Sequence, residues 1–161
     1  MIAFDRYLRA ILDQAGHEAR AEGSPTIEAQ HVLLAMAARA DTDAGQLLCS
    51  SGLDRAALRA ALDREVEDAL SGVGIPPEAA RPRVPENAVD PAGQLGTSVR
   101  FALERGLDGV RRAPRPAHLL LGVLQAEVGT VPRALDLAGI DRTDLLARVR
   151  QSLASSELLR K

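Results

Sequence analysis

Aromatic residues are almost missing from this chain: it has no tryptophan, one tyrosine and two phenylalanines among 161 residues. Its core must therefore be built from Leu, Val and Ala. Because Ala and Leu lose least on entering a helix, that composition favours packed helices over sheets. A single cysteine, Cys49, excludes an intramolecular disulfide and any cysteine-based metal cluster. Lying in a Leu47-Leu48-Cys49 run, it is expected to be a buried, inert thiol. No run approaches the roughly 18 apolar residues that a membrane span needs, and Met1 to Arg6 lack the basic stretch and apolar core of a signal peptide. The chain is expected to be cytoplasmic and to avoid membranes. A net charge of −2 supplies no general attraction to nucleic acid. No Gly-x-x-x-x-Gly-Lys-Ser/Thr loop occurs anywhere, which excludes ATP hydrolysis in the P-loop manner.

What is present is an internal duplication. His31-Val32-Leu33-Leu34-Ala35-Met36 returns 87 residues later as His118-Leu119-Leu120-Leu121-Gly122-Val123. At the same offset Leu8 falls on Leu95, Leu12 on Val99, Leu48 on Leu135, Gly52 on Gly139, and Asp54-Arg55 on Asp141-Arg142. The match needs no gaps.

Taken in order, Phe4, Tyr7, Leu8, Ile11, Leu12, Ala15 and Ala19 follow the spacing of one helix face, and this first helix stops near Gly23. Ser24-Pro25-Thr26 is a turn, with Thr26 or Ser24 predicted to cap a second helix over Ile27 to Ala40. That helix is apolar on every side from Val32 to Ala38, so it belongs at the centre of its half. A short third helix ends at Ser51-Gly52, where Gly52 suits the left-handed closing residue. Asp54 then caps a fourth helix whose predicted buried stripe is Leu58, Leu62, Val66 and Leu70.

Five of the nine prolines fall between Ser71 and Gly93, which reads as a linker. The plan then repeats, with Pro116 opening the sixth helix, Gly139 closing the seventh and Asp141 capping the eighth. The expected fold is all-α: two tandem four-helix repeats (1–70 and 94–154) related by a pseudo-two-fold axis in one compact domain. The linker is 71–93, and the tail from 155 to 161 is expected to fray.

A repeated histidine invites a catalytic reading, yet no carboxylate lies at metal-ligand spacing from His31 or His118. Each is expected to be a packed helix residue whose ring hydrogen-bonds a neighbouring loop. His31, His118, Gly52 and Gly139 are thus structural, and neither an enzyme, a metal nor a cofactor is expected. Arg111, Arg112 and Arg115 form the one local basic cluster; a solvated loop is the default reading, with contact to an acidic peptide or a phosphate as the alternative.

With both His-apolar runs, the glycines before the fourth and eighth helices and the Pro-rich linker in place, the chain resembles the double Clp N-terminal domain. That domain precedes the ATPase rings of unfoldases such as ClpC and ClpA. Glu18-Ala19-Arg20, His31-Val32-Leu33-Leu34 and Leu48…Gly52-Leu53 carry the resemblance in the first half; His118-Leu119-Leu120-Leu121-Gly122-Val123 and Leu135…Gly139-Ile140 carry it in the second. The resemblance spans about residues 4 to 153 and implies a non-catalytic module that recognises substrates, degrons or adaptors for a Clp unfoldase. In the ClpC branch an acidic residue just before each histidine pairs with the guanidinium of phosphorylated arginine. Here those positions hold Gln30, which keeps hydrogen bonding without charge, and Ala117, which keeps neither. Cyclic-peptide antibiotics dock in this family near the Phe that opens each repeat, here Phe4, with Pro91 at the second position. The candidate ligand-binding residues are Phe4, Arg9, Gln30, Arg111, Arg112 and Arg115. Two roles compete, an adaptor or regulator of Clp machinery and a decoy that sequesters peptide-like ligands. An all-helical DNA-binding regulator stands as the alternative from another class.

Overall fold

The computed structural model of the chain describes residues 2–80, 94–111 and 113–159. Among them are α1 (Ile2–Glu22), α2 (Ala29–Ala37), α3 (Asp43–Ser50) and α4 (Arg55–Gly72), then a 3-10 turn at Pro77–Ala80. After the proline-rich stretch come α5 (Thr97–Leu107), α6 (Pro116–Leu124), α7 (Thr130–Leu137) and α8 (Arg142–Leu158). The fold is all-α. The described residues include no strand, only a one-residue parallel bridge in which Ile27 N–H donates to Gln94 O at 2.8 Å and Gly96 N–H to Ile27 O at 2.9 Å. Most of the predicted linker, 81–93, lies outside the described residues. Its first two residues, Ser71 and Gly72, still belong to α4.

The 87-residue offset survives in three dimensions: α2 and α6 begin and end at matching positions, as do α3 and α7. The first helices do not match, since α1 has 21 residues and α5 only 11. α2 and α6 are the paired central helices, and every α2 residue from His31 to Ala37 is buried. The later helices cross over, α4 packing on α7, and α3 on α6 and α8. Each half thus completes its core with the other, which is the two-fold exchange expected of repeats that cannot bury an apolar face alone.

The helix ends follow local chemistry. In both repeats the short third helix closes with a Schellman motif. Leu53 N–H reaches Leu48 O at 2.9 Å and Ile140 N–H reaches Leu135 O at 2.9 Å, around Gly52 and Gly139 at φ of 78° and 70°. Asp54 and Asp141 cap α4 and α8 as predicted, accepting from Ala57 N–H at 2.8 Å and Thr143 N–H at 2.9 Å.

Five expectations are corrected. α2 is shorter than 27–40, because its N-cap is Glu28 and its regular hydrogen bonding ends at Ala37. Ser24 turns its hydroxyl to Thr26 O at 2.7 Å and does not cap the helix. On α4 the buried stripe runs Leu58, Ala61, Leu62 and Glu65, leaving Val66 exposed, because α7 lies across this face and its Arg133 pairs with the Glu65 carboxylate. Cys49 is exposed: the buried positions of α3 are Ala44, Gly45 and Leu48, and one further residue turns the thiol about 100° away. The tail is helical as far as Leu158.

Candidate functional site

The two histidines do the same structural job. His31 Nδ1 accepts Glu28 N–H at 2.9 Å and His118 Nδ1 accepts Arg115 N–H at 3.0 Å. Each therefore satisfies the amide of the residue that caps its own helix, three positions back. With Nδ1 used as an acceptor, each ring carries its proton on Nε2, and in His31 that proton is directed to Glu22. This hydrogen bond, ahead of the opposing effect of burial, holds the Glu22 carboxyl below the usual range. Burial of the His118 ring, with the Arg115 charge beside it, pushes that imidazole below its ordinary value. His31 faces the Glu22 carboxylate alone, and no group of three or more metal-ligating side chains occurs among the described residues.

One residue before His31, the chain opens. Gln30 lines a pocket of about 460 Å³ between the start of α2, the outer face of α5 and the α6–α7 loop. Two apolar side chains there are left to solvent, Phe101 at 51% and Val128 at 85% exposure. Glu127, Thr97 and Thr130 supply polar rim groups. The floor is held by a cross-repeat network: Ala29 N–H donates to Ser98 Oγ at 2.8 Å, Ser98 Oγ donates to Glu28, and Thr26 Oγ1 donates to Glu28 Oε1 at 2.7 Å. Gly96 leaves room beside it for the Glu28 carboxylate, which a Cβ there would displace.

One residue before His118, the chain is closed. Ala117 is fully buried and its N–H donates to Asp43 Oδ1 at 3.1 Å, which also accepts Ala44 N–H at 2.8 Å. Arg115 pairs with the same carboxylate at 2.8 Å. Asp43 thus joins the N-termini of α3 and α6, helices of opposite repeats, where a carboxylate complements both helix dipoles.

The remaining predicted positions separate. Phe4 is buried at 5% exposure, its ring 6.1 Å from that of Tyr7, and so offers no aromatic surface. Arg9 is exposed on the rim of a second groove, of about 810 Å³, floored by Leu8, Leu12, Ile27 and Leu95. Arg111 is exposed in the α5–α6 loop, and Arg112 lies outside the described residues. Of the six candidates, only Gln30 lies on the pocket beside α2, and Arg115 on its counterpart beside α6. Sequence reasoning missed Phe101, Val128 and Asp43. The signal was the 87-residue offset applied to the loops, which puts Asp43 against Thr130, Arg115 against Glu28 and Gln14 against Phe101.

The chain matches the Clp repeat (R) N-terminal domain over residues 3–100, which takes in the whole first repeat and the start of α5. It belongs to that family. No curated protein matches the chain significantly. In this Clp repeat domain the position preceding the first histidine is open and the one preceding the second is filled. No helix among the described residues of this Clp repeat domain is long and apolar enough to cross a membrane.

Proposed function

We propose that this Clp repeat domain is a non-catalytic protein- or peptide-recognition module of the Clp proteolysis system, serving as an adaptor or regulator of a Clp unfoldase through the pocket beside Gln30. The observation that carries the reading is the pairing of exposed Phe101 and Val128 with hydrogen-bonding Gln30 in one concave site. A half-apolar pocket with a polar rim suits a protein segment, because an aromatic anchor supplies affinity while rim groups fix orientation. The uncharged Gln30 keeps hydrogen bonding there but cannot form an ion pair with a guanidinium, so the proposed ligand is not selected through a salt bridge at this position. A decoy for cyclic peptides is not favoured, since the ring of Phe4 is in the core.

Affinity capture from a lysate of the source cells, with the tagged chain as bait and Clp subunits identified by mass spectrometry, tests this directly. Recovery of unfoldase or protease subunits at roughly stoichiometric level is the expected result. Their absence from the captured material, under conditions where the chain is folded, would overturn the proposal.

A further inference from the structure

The filled site beside α6 holds a cluster that the recognition reading does not use. Three groups converge on the Asp43 carboxylate, the Ala117 and Ala44 amides and the Arg115 guanidinium, and the Tyr7 phenol lies near enough to feel its charge. Tyr7 is only 8% exposed, and its hydroxyl, beside Thr42, makes no hydrogen bond of good geometry among the described residues. Burial, then the Asp43 charge, pushes its phenol well above the ordinary value. Arg115 Nη1 and Asp43 Oδ2 are likewise buried without a hydrogen-bond partner, so the two side chains face each other as an ion pair at 2.8 Å and not as a hydrogen-bonded fork. Buried donors left over in this way are costly unless the arrangement serves something else.

The 87-residue offset supplies the meaning of the cluster. The open pocket is walled by Glu28 and Gln30 from the start of α2 and by Thr130 from the start of α7. The equivalent positions in the filled site are Arg115, Ala117 and Asp43. Where the first site is lined by the short side chain of Thr130, the second places a carboxylate, and where the first has a carboxylate tied to its own floor by Ser98 and Thr26, the second has a guanidinium that reaches across to that carboxylate. The loops differ to match. Thr42 caps α3 tightly, its Oγ1 donating to Arg39 O at 2.8 Å and accepting Gly45 N–H at 3.1 Å, whereas α7 is preceded by Gly129 with φ of 111°.

We propose that the Asp43–Arg115 pair is an autoinhibitory plug. These two side chains occupy, from within, the counterpart of the pocket beside Gln30, so that the chain presents one recognition site where its duplicated fold provides for two. The inference rests on the recognition reading for what the open pocket does, but the plug itself is tested without any ligand. Tyr7 is the only tyrosine and there is no tryptophan, so intrinsic fluorescence excited at the phenol reports on this site alone.

The test is acrylamide quenching of Tyr7 in the wild type beside the double variant Asp43→Ala/Arg115→Ala, which leaves no lone charge, with helix content checked by circular dichroism. Unplugging is expected to raise the quenching constant several-fold at unchanged helicity and to return the phenol titration toward its ordinary value of 10.0. A folded double variant whose Tyr7 remains as shielded as in the wild type would overturn the proposal. Should the double variant fail to fold, Asp43→Asn decides. It keeps an acceptor for both amides but releases Arg115, and the quenching constant must then rise above that of the wild type; an unchanged constant overturns the plug. Because no partner enters the measurement, this result is separate from failure to capture Clp subunits.

Discussion

The two repeats share helix boundaries to within one residue from α2 and α6 onward, yet their first helices and the sites beside them have diverged. α1 packs on α2, and on these two helices Ala19 and Ala35 are both fully buried. The equivalent positions at the α5–α6 contact are Gly106 and Gly122, where an added Cβ would collide with the His118 and Ala102 carbonyl oxygens. The second helix pair is therefore closer, backbone against backbone. A further exchange accompanies it. Glu18 on α1 is 3% exposed and pairs with Arg55 and Arg59, each at 2.6 Å, but its counterpart on α5 is Arg105. Arg105 and Arg142 instead donate to the Gly122 and Leu124 carbonyls at the end of α6, at 3.2 and 2.9 Å. Equivalent backbones thus tolerate opposite charges provided that each buried group finds a partner, and the positions beside the histidines have used the same freedom.

The largest break in the equivalence is expected at the glycine contact. Gly122→Ala should cost about 3 kcal/mol, because the new methyl meets backbone that cannot rotate away. The mirror change, Ala35→Gly, should cost only about 1 kcal/mol of helix propensity; urea denaturation of both variants measures the difference. Next in size is Asp43→Ala, expected to cost about 2 kcal/mol through loss of two amide bonds and the partner of Arg115. Thr130→Ala at the equivalent position should stay within about 0.5 kcal/mol.

The glycines that close α3 and α7 sharpen the comparison in the other direction. Gly52→Ala and Gly139→Ala should each cost about 1 kcal/mol, equally within error, since both stand in the left-handed region with nothing to obstruct a Cβ. The smallest effect is a pH slope. The folded-state value of His118 is depressed, so its contribution is complete above the ordinary value of 6.5 and is lost as pH falls below it toward the folded value. Thermal unfolding of His118→Gln beside the wild type between neutral and mildly acidic pH should show that slope removed. Glu18 acts lower: burial works to raise its pKa, but Arg55 and Arg59 outweigh burial and hold the carboxyl below 4.5, so that contribution is lost only at more acidic pH.

Much of the architecture was legible because it is local. The Schellman glycines, the Asp54 and Asp141 caps and the histidine-led central helices each depend on residues a few positions apart, and a gap-free offset doubles every such signal. What was not legible depends on the other repeat. Glu65 is buried because Arg133 arrives from α7, a contact that no periodicity along α4 can announce. Asp43 looks like an ordinary first-turn acid until α6 is placed beside it. Arg115 is one of three loop arginines in the sequence, and only the fold turns it inward while leaving Arg111 exposed. Phe101 stands out as one of two phenylalanines, but its exposure follows from the fact that no element among the described residues covers that face of α5.

The central claim is that the two equivalent sites are unequal in function, and symmetry provides its own control. Phe101→Ala truncates the anchor of the open pocket, while Gln14→Ala alters the equivalent position on α1. The affinity of each variant for the Clp subunits captured by the wild type is the direct measurement. Phe101→Ala is expected to weaken binding by about 2 kcal/mol, as loss of an aromatic anchor does, with Gln14→Ala indistinguishable from the wild type. Equal loss in both variants, or none in Phe101→Ala, would contradict the account.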